Sequence, residues 1–202
     1  TLADADGLGT ISYQWNRDGS VITGASSNSY TLIQDDVGSI ITVTASHMDG
    51  EGTAETATST GTSQVANVND LPTGSVSITG TAIEDEVLTA SSTLADADGL
   101  GTISWQWSRA GVAIDGETTS TYTLTQDDVD AVITVTASYT DAEGTAESVD
   151  SSFTAAVANV SHSTTGEVLI TGTPEEDQVL TASNTLADAD GLGTISYQWN
   201  RD

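Results

Sequence analysis

The chain has 202 residues, of which 30 are aspartate or glutamate and three are arginine, with no lysine and no cysteine. The formal net charge of −27 argues against nucleic acid and anionic membrane surfaces as partners, because both bind through a cationic surface. No disulfide can stabilise a small domain here, and no apolar run approaches the roughly 18 residues of a membrane-spanning helix. Clustered carboxylates repel by roughly 4 kcal/mol per pair at about 4 Å. They must therefore spread into solvent or bind a cation.

A long repeat organises the sequence. The segment TLADADGLGTIS begins at Thr1, again at Thr93 and again at Thr185, a constant spacing of 92 residues. On this alignment we expect residues 1–70 to be the C-terminal part of a repeat, residues 71–162 a complete repeat, and residues 163–202 the N-terminal part of another. A period near 100 residues is typical of one small β-sandwich.

The complete repeat shows seven segments of alternating or β-branched residues, separated by turn signals. This pattern predicts an all-β fold in which tandem seven-stranded β-sandwiches follow one another. The predicted strands lie at 74–80, 86–94, 102–109, 112–114, 120–125, 131–139 and within 145–157.

Tryptophan recurs in the third of these strands. Ile103, Trp105 and Trp107 share one face at a period of two residues, so we expect at least one tryptophan to lie between the sheets. Core packing is also the expected role of Trp15 and Trp199, with a stacked sugar or other ligand as the alternative.

Threading seven strands up and down brings acidic loops to both ends of the repeat. One end receives the DADGLG loop with Asp96 and Asp98, and the DAEG loop with Asp141. The other receives the IEDE turn at 83–86 and the QDDVD turn at 126–130. Each DxDG loop is either a calcium-binding loop or a solvated turn. It is not an EF-hand, because the twelfth position from Asp96 is tryptophan where glutamate is required.

Several motifs together resemble a known family. The linker VANVNDLPTG resembles the DxNDNxP linker of cadherins, DADG resembles their DxD loop, and the IEDE and QDD turns resemble their base glutamate and DRE motif. The YQW motif and residues 30–49 look immunoglobulin-like. The whole 92-residue unit is similar to the tandem extender repeats of giant bacterial RTX adhesins, which are calcium-dependent Ig/cadherin-like domains.

This resemblance implies Ca²⁺ between neighbouring repeats of the same chain, an extracellular location on the bacterial cell surface, and a spacer that projects a distal binding module. The implied calcium ligands are Asn67, Asn69 and Asp70 in the first linker; Asp35, Asp36, Asp96, Asp98 and Asp141 around it; Glu84, Glu86, Asp127, Asp128, Asn159, Asp188 and Asp190 at the second junction; and Asp4, Asp6 and Asp49 in the first loops. The second linker departs from the first, with Ser161 and His162 where the first has Asn69 and Asp70. We therefore expect fewer or weaker calcium sites there.

The two partial repeats suggest a hypothesis about assembly. Neither piece can bury a sandwich core alone, so the C-terminal piece of one molecule could complete the N-terminal piece of the next, head to tail. The alternative is that the chain is a window of a longer array.

The sequence also bears on two other functions. A sugar-binding or ice-binding adhesin module would need an aromatic or flat threonine face, and Thr56, Thr58 and Thr60 do alternate. An enzyme would need a nucleophile–base pair or a cofactor loop, and the sequence offers neither. His47 and His162 do not recur at their repeat positions, so neither is expected to bind metal or to act in catalysis.

Overall fold

The computed structural model describes residues 3–201. These residues are almost entirely strand, turn and loop, and their helical elements are two three-residue 3₁₀ turns at Gln34–Asp36 and Gln126–Asp128. Neither turn approaches the length and apolar character of a membrane-crossing helix. The prediction of an all-β protein is confirmed.

The described residues form several antiparallel sheets. Their strands, in chain order, are β1 (Ser12–Arg17), β2 (Ser20–Val21), β3 (Ile41–Met48), β4 (Ala54–Thr58), β5 (Val76–Thr79), β6 (Val87–Ser92), β7 (Ser104–Arg109), β8 (Val112–Ala113), β9 (Thr121–Thr123), β10 (Ile133–Thr140), β11 (Ala146–Asp150), β12 (Val168–Thr171) and β13 (Thr181–Asn184).

The chain divides into two compact units. The first comprises Thr1–Pro72 with Ala95–Gly101 and Thr140–Thr145, and the second comprises Thr73–Leu94, Thr102–Tyr139 and Ala146–Asp202. The boundaries expected at 1–70, 71–162 and 163–202 come from the sequence period, whereas these units reflect which residues lie close together in space. The predicted repeat boundaries therefore stay a prediction.

The first unit contains one sheet, with strand order β2-β1-β3-β4. In this sheet β1 pairs with β3 from Ser12 opposite Ser46 to Arg17 opposite Ile41. Ile41 and Ala45 are buried, and the rings of Trp15 and Tyr30 pack with centroids 5.8 Å apart.

The second unit contains a three-stranded sheet of order β5-β6-β9 and a four-stranded sheet of order β11-β10-β7-β8. Its core holds the fully buried side chains of Leu88, Trp107, Leu124, Ile133 and Val135. Each such side chain contributes about 1.5–3 kcal/mol by leaving water. The two-sheet arrangement around one apolar core is consistent with a β-sandwich, and the expected core position of Trp107 is confirmed.

The last strand of this unit is shorter than the sequence pattern predicts. Regular pairing ends at Asp150, and beyond it the hydroxyls of Ser151 and Thr154 accept hydrogen bonds from the amides of Val135 and Ile133. In a regular β-ladder these amides would donate to backbone carbonyls of the neighbouring strand. Here they donate to side-chain hydroxyls, and the strand is interrupted as it is at a β-bulge.

Among the described residues from 163 to 201, the strands are β12 and β13, which pair as a hairpin. Leu180 is 38% exposed, whereas Leu88, 92 residues earlier, is fully buried. Trp199 is half exposed, so the expectation of a core role for this tryptophan is wrong. The physical reason is that a single two-stranded hairpin cannot enclose a core without a second sheet.

Candidate metal centres

The DADGLG loop has the same local geometry at each of its three occurrences. Oδ1 of Asp96 accepts a 2.9 Å hydrogen bond from the amide of Asp98, and Gly99 adopts a positive φ of 98°. The equivalent bonds to Asp4 and Asp188 measure 2.8 Å and 3.0 Å. Aspartate is favoured at such a turn because its side chain bonds to the backbone two residues on. The side chain of the second aspartate in each loop does not take part in this turn bond and can contact residues outside the loop.

In the first unit the second aspartate of the loop, Asp98, contacts the predicted linker. Asp98 is buried; its Oδ2 accepts a 2.6 Å hydrogen bond from the amide of Asp70, and its Oδ1 accepts one of 2.9 Å from Nε2 of Gln34. Nε2 of Gln34 also lies 3.5 Å from Oδ1 of Asn67. The structure therefore brings Asn67, Asp70 and Asp98 together as predicted, and adds Gln34, which the sequence reasoning missed.

Asp141 lies in the same unit and is 6% exposed. Its Oδ1 accepts a 2.7 Å hydrogen bond from the amide of Thr145, but its Oδ2 is buried without a hydrogen-bond partner. Asp141 and Asp96 place carboxylate oxygens within 4.8 Å of each other. We call Gln34, Asn67, Asp70, Asp96, Asp98 and Asp141 the Asp98 cluster.

The arginine of the first unit does not serve the Asp98 cluster. Arg17 is the sole lysine or arginine in the sequence of the first unit, and its Nε and Nη2 atoms both lie 2.8 Å from Oδ1 of Asp36. A buried carboxylate without a counter-charge costs several kcal/mol. The orphaned Asp141 oxygen and the neighbouring carboxylates therefore fit a hard divalent cation, which binds oxygen ligands of this kind.

Asp36 and Asp128 also stand among the predicted ligands, but their oxygens are already bonded. Nε of Arg109 donates to Oδ1 of Asp128 at 2.7 Å, while the Tyr122 hydroxyl and the Thr125 amide donate to Oδ2 at 2.7 and 2.8 Å. Burial alone would raise the pKa of Asp128, but these donors lower its pKa below the usual range. Asp36 is held in the same way by Arg17, Tyr30 and the Ile33 amide.

A second cluster lies entirely within the second unit. The backbone amide of His162 donates a 2.6 Å hydrogen bond to Oδ2 of Asp190, and its Nδ1 lies 3.6 Å from Asp190 Oδ1 and 3.9 Å from Glu84 Oε1. Nε2 of His162 lies 3.4 Å from Asp85 Oδ2. With its amide nitrogen turned towards them, Gln126 donates to Glu84 Oε1 at 3.0 Å and to Asp190 Oδ1 at 3.3 Å. We call Glu84, Asp85, Gln126, His162 and Asp190 the Glu84 cluster.

The electrostatics of the Glu84 cluster centre on His162. Burial by itself would lower the pKa of this imidazole, but the carboxylates of Asp85, Glu84 and Asp190 raise its pKa above the usual range. The amide of His162 in turn lowers the pKa of Asp190. His162 was not predicted as a ligand, because a side chain that occurs at one repeat position only leaves no periodic signal.

A third group lies at the first DADGLG loop. Nε2 of His47 is 3.2 Å from Oδ2 of Asp4 and 4.0 Å from Oε2 of Glu55, and the side chains of His47 and Asp4 are 6% and 9% exposed. Asp49, predicted as a ligand here, instead accepts hydrogen bonds from the amides of Glu51 and Thr53. A histidine thus stands beside this loop where the next repeat has Tyr139.

The remaining predicted metal ligands lie outside the two named clusters. Oδ2 of Asp188 accepts from the hydroxyl of Thr164 at 2.8 Å. Oδ1 of Asn159 faces the Gln126 amide and accepts from it at 3.3 Å only in the opposite orientation of that amide. The predicted ligands not yet placed, Asp6, Asp35, Asn69, Glu86 and Asp127, are exposed.

Comparison with protein-family models finds no matching family. A comparison with curated protein sequences finds no significant match. The case for any function therefore depends on the fold and on the two clusters described above.

Proposed function

We propose that this chain is a calcium-stabilised structural spacer, built from tandem Ig/cadherin-like β-sandwich repeats of 92 residues. In this proposal it belongs to the extender region of a bacterial cell-surface adhesin of the RTX type. It projects a distal binding module from the cell and performs no catalysis itself.

The observation that carries the proposal is the buried, unpartnered Oδ2 of Asp141 beside Asp96. The Asp98 side chain, in the same unit, joins that loop to the linker through the amide of Asp70. A cation held by Asp96, Asp98 and Asp141 would neutralise this group while the linker is bonded to it. Because the linker is hydrogen-bonded to the site, the bound cation would restrict the backbone motion of the linker and make the connection between repeats stiffer.

The strength of such a site can be bounded. Extracellular calcium modules bind with dissociation constants of about 10⁻⁴–10⁻³ M. At a free calcium concentration about ten times the dissociation constant, one site stabilises the folded state by about 1.4 kcal/mol. For a domain of 150–250 residues each kcal/mol corresponds to about 2–4 °C in melting temperature.

Thermal unfolding in calcium and in chelator tests this function. We expect the wild-type chain to melt several degrees higher in millimolar CaCl₂ than in EDTA. Asp141→Asn should lose most of that difference, because it removes the charge that faces the cation. The matched control is Glu143→Gln in the same loop, whose side chain is exposed and should keep the full difference. A melting temperature that is indifferent to calcium in the wild type would overturn the proposal.

A further inference from the structure

We propose that the Glu84 cluster is a site for a borderline transition-metal ion such as Zn²⁺, and that His162 gives it this preference over Ca²⁺. The Asp98 cluster offers oxygen ligands alone, because the corresponding linker residue there is Asp70. The chain would then carry two chemically different metal sites, one at each of its linkers. This goes beyond the proposed spacer function and does not require it.

The first support is the position of Nδ1 of His162. This atom is shielded from solvent and has no hydrogen-bond partner, yet it faces the Asp190 Oδ1 atom at 3.6 Å and the Glu84 Oε1 atom at 3.9 Å. A tetrahedral zinc ion with bonds of about 2.0–2.1 Å separates its donor atoms by roughly 3.3 Å. Each of these two carboxylate oxygens therefore needs to move only about 0.3–0.6 Å closer to Nδ1 to share an ion with it.

The second support is the environment of the other ring nitrogen. Nε2 of His162 lies 3.4 Å from Asp85 Oδ2. A metal-bound histidine usually donates its second N–H to a carboxylate, which fixes the ring and strengthens the ligand. Asp85 is placed for that role, while Glu84 and Asp190 supply the charged oxygens. Glu84 is held in position by the amide of Val160, which donates to its Oε2 at 3.1 Å.

The third support is ligand chemistry. Imidazole is a good ligand for Zn²⁺, Ni²⁺, Cu²⁺ and iron, whereas Ca²⁺ takes six to eight oxygens. One imidazole nitrogen with two carboxylates is a donor set of the zinc type. The amide of Gln126 lies against the same carboxylates and completes the polar lining.

Imidazole NMR tests the site directly. The chain has two histidines, so His47→Tyr, which introduces the residue of the next repeat, leaves His162 as the sole imidazole. In this variant, with calcium saturating, we expect one equivalent of Zn²⁺ to shift the Nδ1 resonance of His162 strongly. Calcium alone should shift it little. An unmoved imidazole, or equal shifts with both ions, would overturn the proposal.

Titration calorimetry supplies the second readout. In the same background we expect His162→Asp to weaken Zn²⁺ binding at least tenfold, with folding checked by circular dichroism. An unchanged zinc isotherm would also overturn the proposal. If His162→Asp does not fold, the NMR titration still decides the matter, since it uses the native Glu84 cluster. A failure here is distinct from a failure of the calcium spacer, which is read from Asp141→Asn.

Discussion

Arg109 donates a 2.7 Å hydrogen bond from Nε to Oδ1 of Asp128, and this carboxylate is completely shielded from solvent. Arg17 and Asp36 repeat the arrangement in the first unit, 92 residues earlier along the chain, at 2.8 Å. Two of the three arginines of this acidic protein are thus committed to a buried aspartate. Arg17 and Arg109 are therefore not available to neutralise the Asp98 and Glu84 clusters.

The Arg109–Asp128 pair predicts a large effect of a small substitution. Asp128→Asn keeps the shape but leaves the Arg109 guanidinium without its charge partner, and breaking a buried pair costs about 3–5 kcal/mol. Because Arg109 is partly exposed, we expect a loss near the lower figure, measured by urea unfolding in EDTA. Asp127→Asn, one residue earlier and exposed, should change the free energy of unfolding by less than about 0.5 kcal/mol. Equal effects of the two substitutions would contradict a structural role for the pair.

Tyr122 predicts a loss of stability at alkaline pH. Burial, with the charge of Asp128 beside the hydroxyl, raises the pKa of Tyr122 to about 12 from 10.0. Since the folded state holds the proton more tightly than the unfolded state, this contribution is complete below about pH 10 and is lost as the pH rises towards 12. We expect the urea midpoint of the wild type to fall over this range. Tyr122→Phe should start lower and fall less steeply, and parallel curves would show that Tyr122 does not titrate as described.

The DADGLG loop contains a glycine that is required for space. A Cβ on Gly101 would overlap the carbonyl oxygen of Thr140, whereas Gly193, at the same position of the third loop, has open space around it. We expect Gly101→Ala to cost about 1–3 kcal/mol, as overpacking does. It should also weaken calcium binding, because the loop carries Asp96 and Asp98. Gly193→Ala should be neutral or slightly stabilising. Similar unfolding curves for the two variants would mean that the loop relaxes around the added carbon.

The exposed apolar hairpin predicts self-association of a chain of these 202 residues. Val168, Ile170 and Leu180 are exposed on β12 and β13, and the first unit exposes an apolar pocket lined by Trp15 and Tyr30, among others. We propose that the hairpin of one molecule covers this face of another, head to tail. Light scattering should then show a mass that rises with concentration, and Leu180→Asp should reduce it. A mass that stays monomeric at high concentration would remove this hypothesis.

Periodicity in the sequence was enough to predict the all-β fold and the core position of Trp107, because alternation reports directly which face of a strand is buried. The contact of Asp98 with the linker was also predictable, since the linker and the loop each carry recognisable motifs. Gln34 was missed because a glutamine in a turn has no signature of its own. Asp36 and Asp128 were predicted as calcium ligands because the motif alone does not show that an arginine, a tyrosine and a backbone amide already bond to their oxygens. The prediction of a core position for Trp199 was wrong, because a local sequence pattern does not show whether an opposing sheet is present to cover the side chain.

The central claim is that the Asp98 cluster binds calcium. Its most direct test is a crystal structure of this chain grown in millimolar CaCl₂, with the ion identified by its anomalous signal. We expect an ion bound by Asp141 Oδ2 and by oxygens of Asp96 and Asp98, at distances of about 2.3–2.6 Å. Ordered water alone among these three carboxylates would contradict the claim.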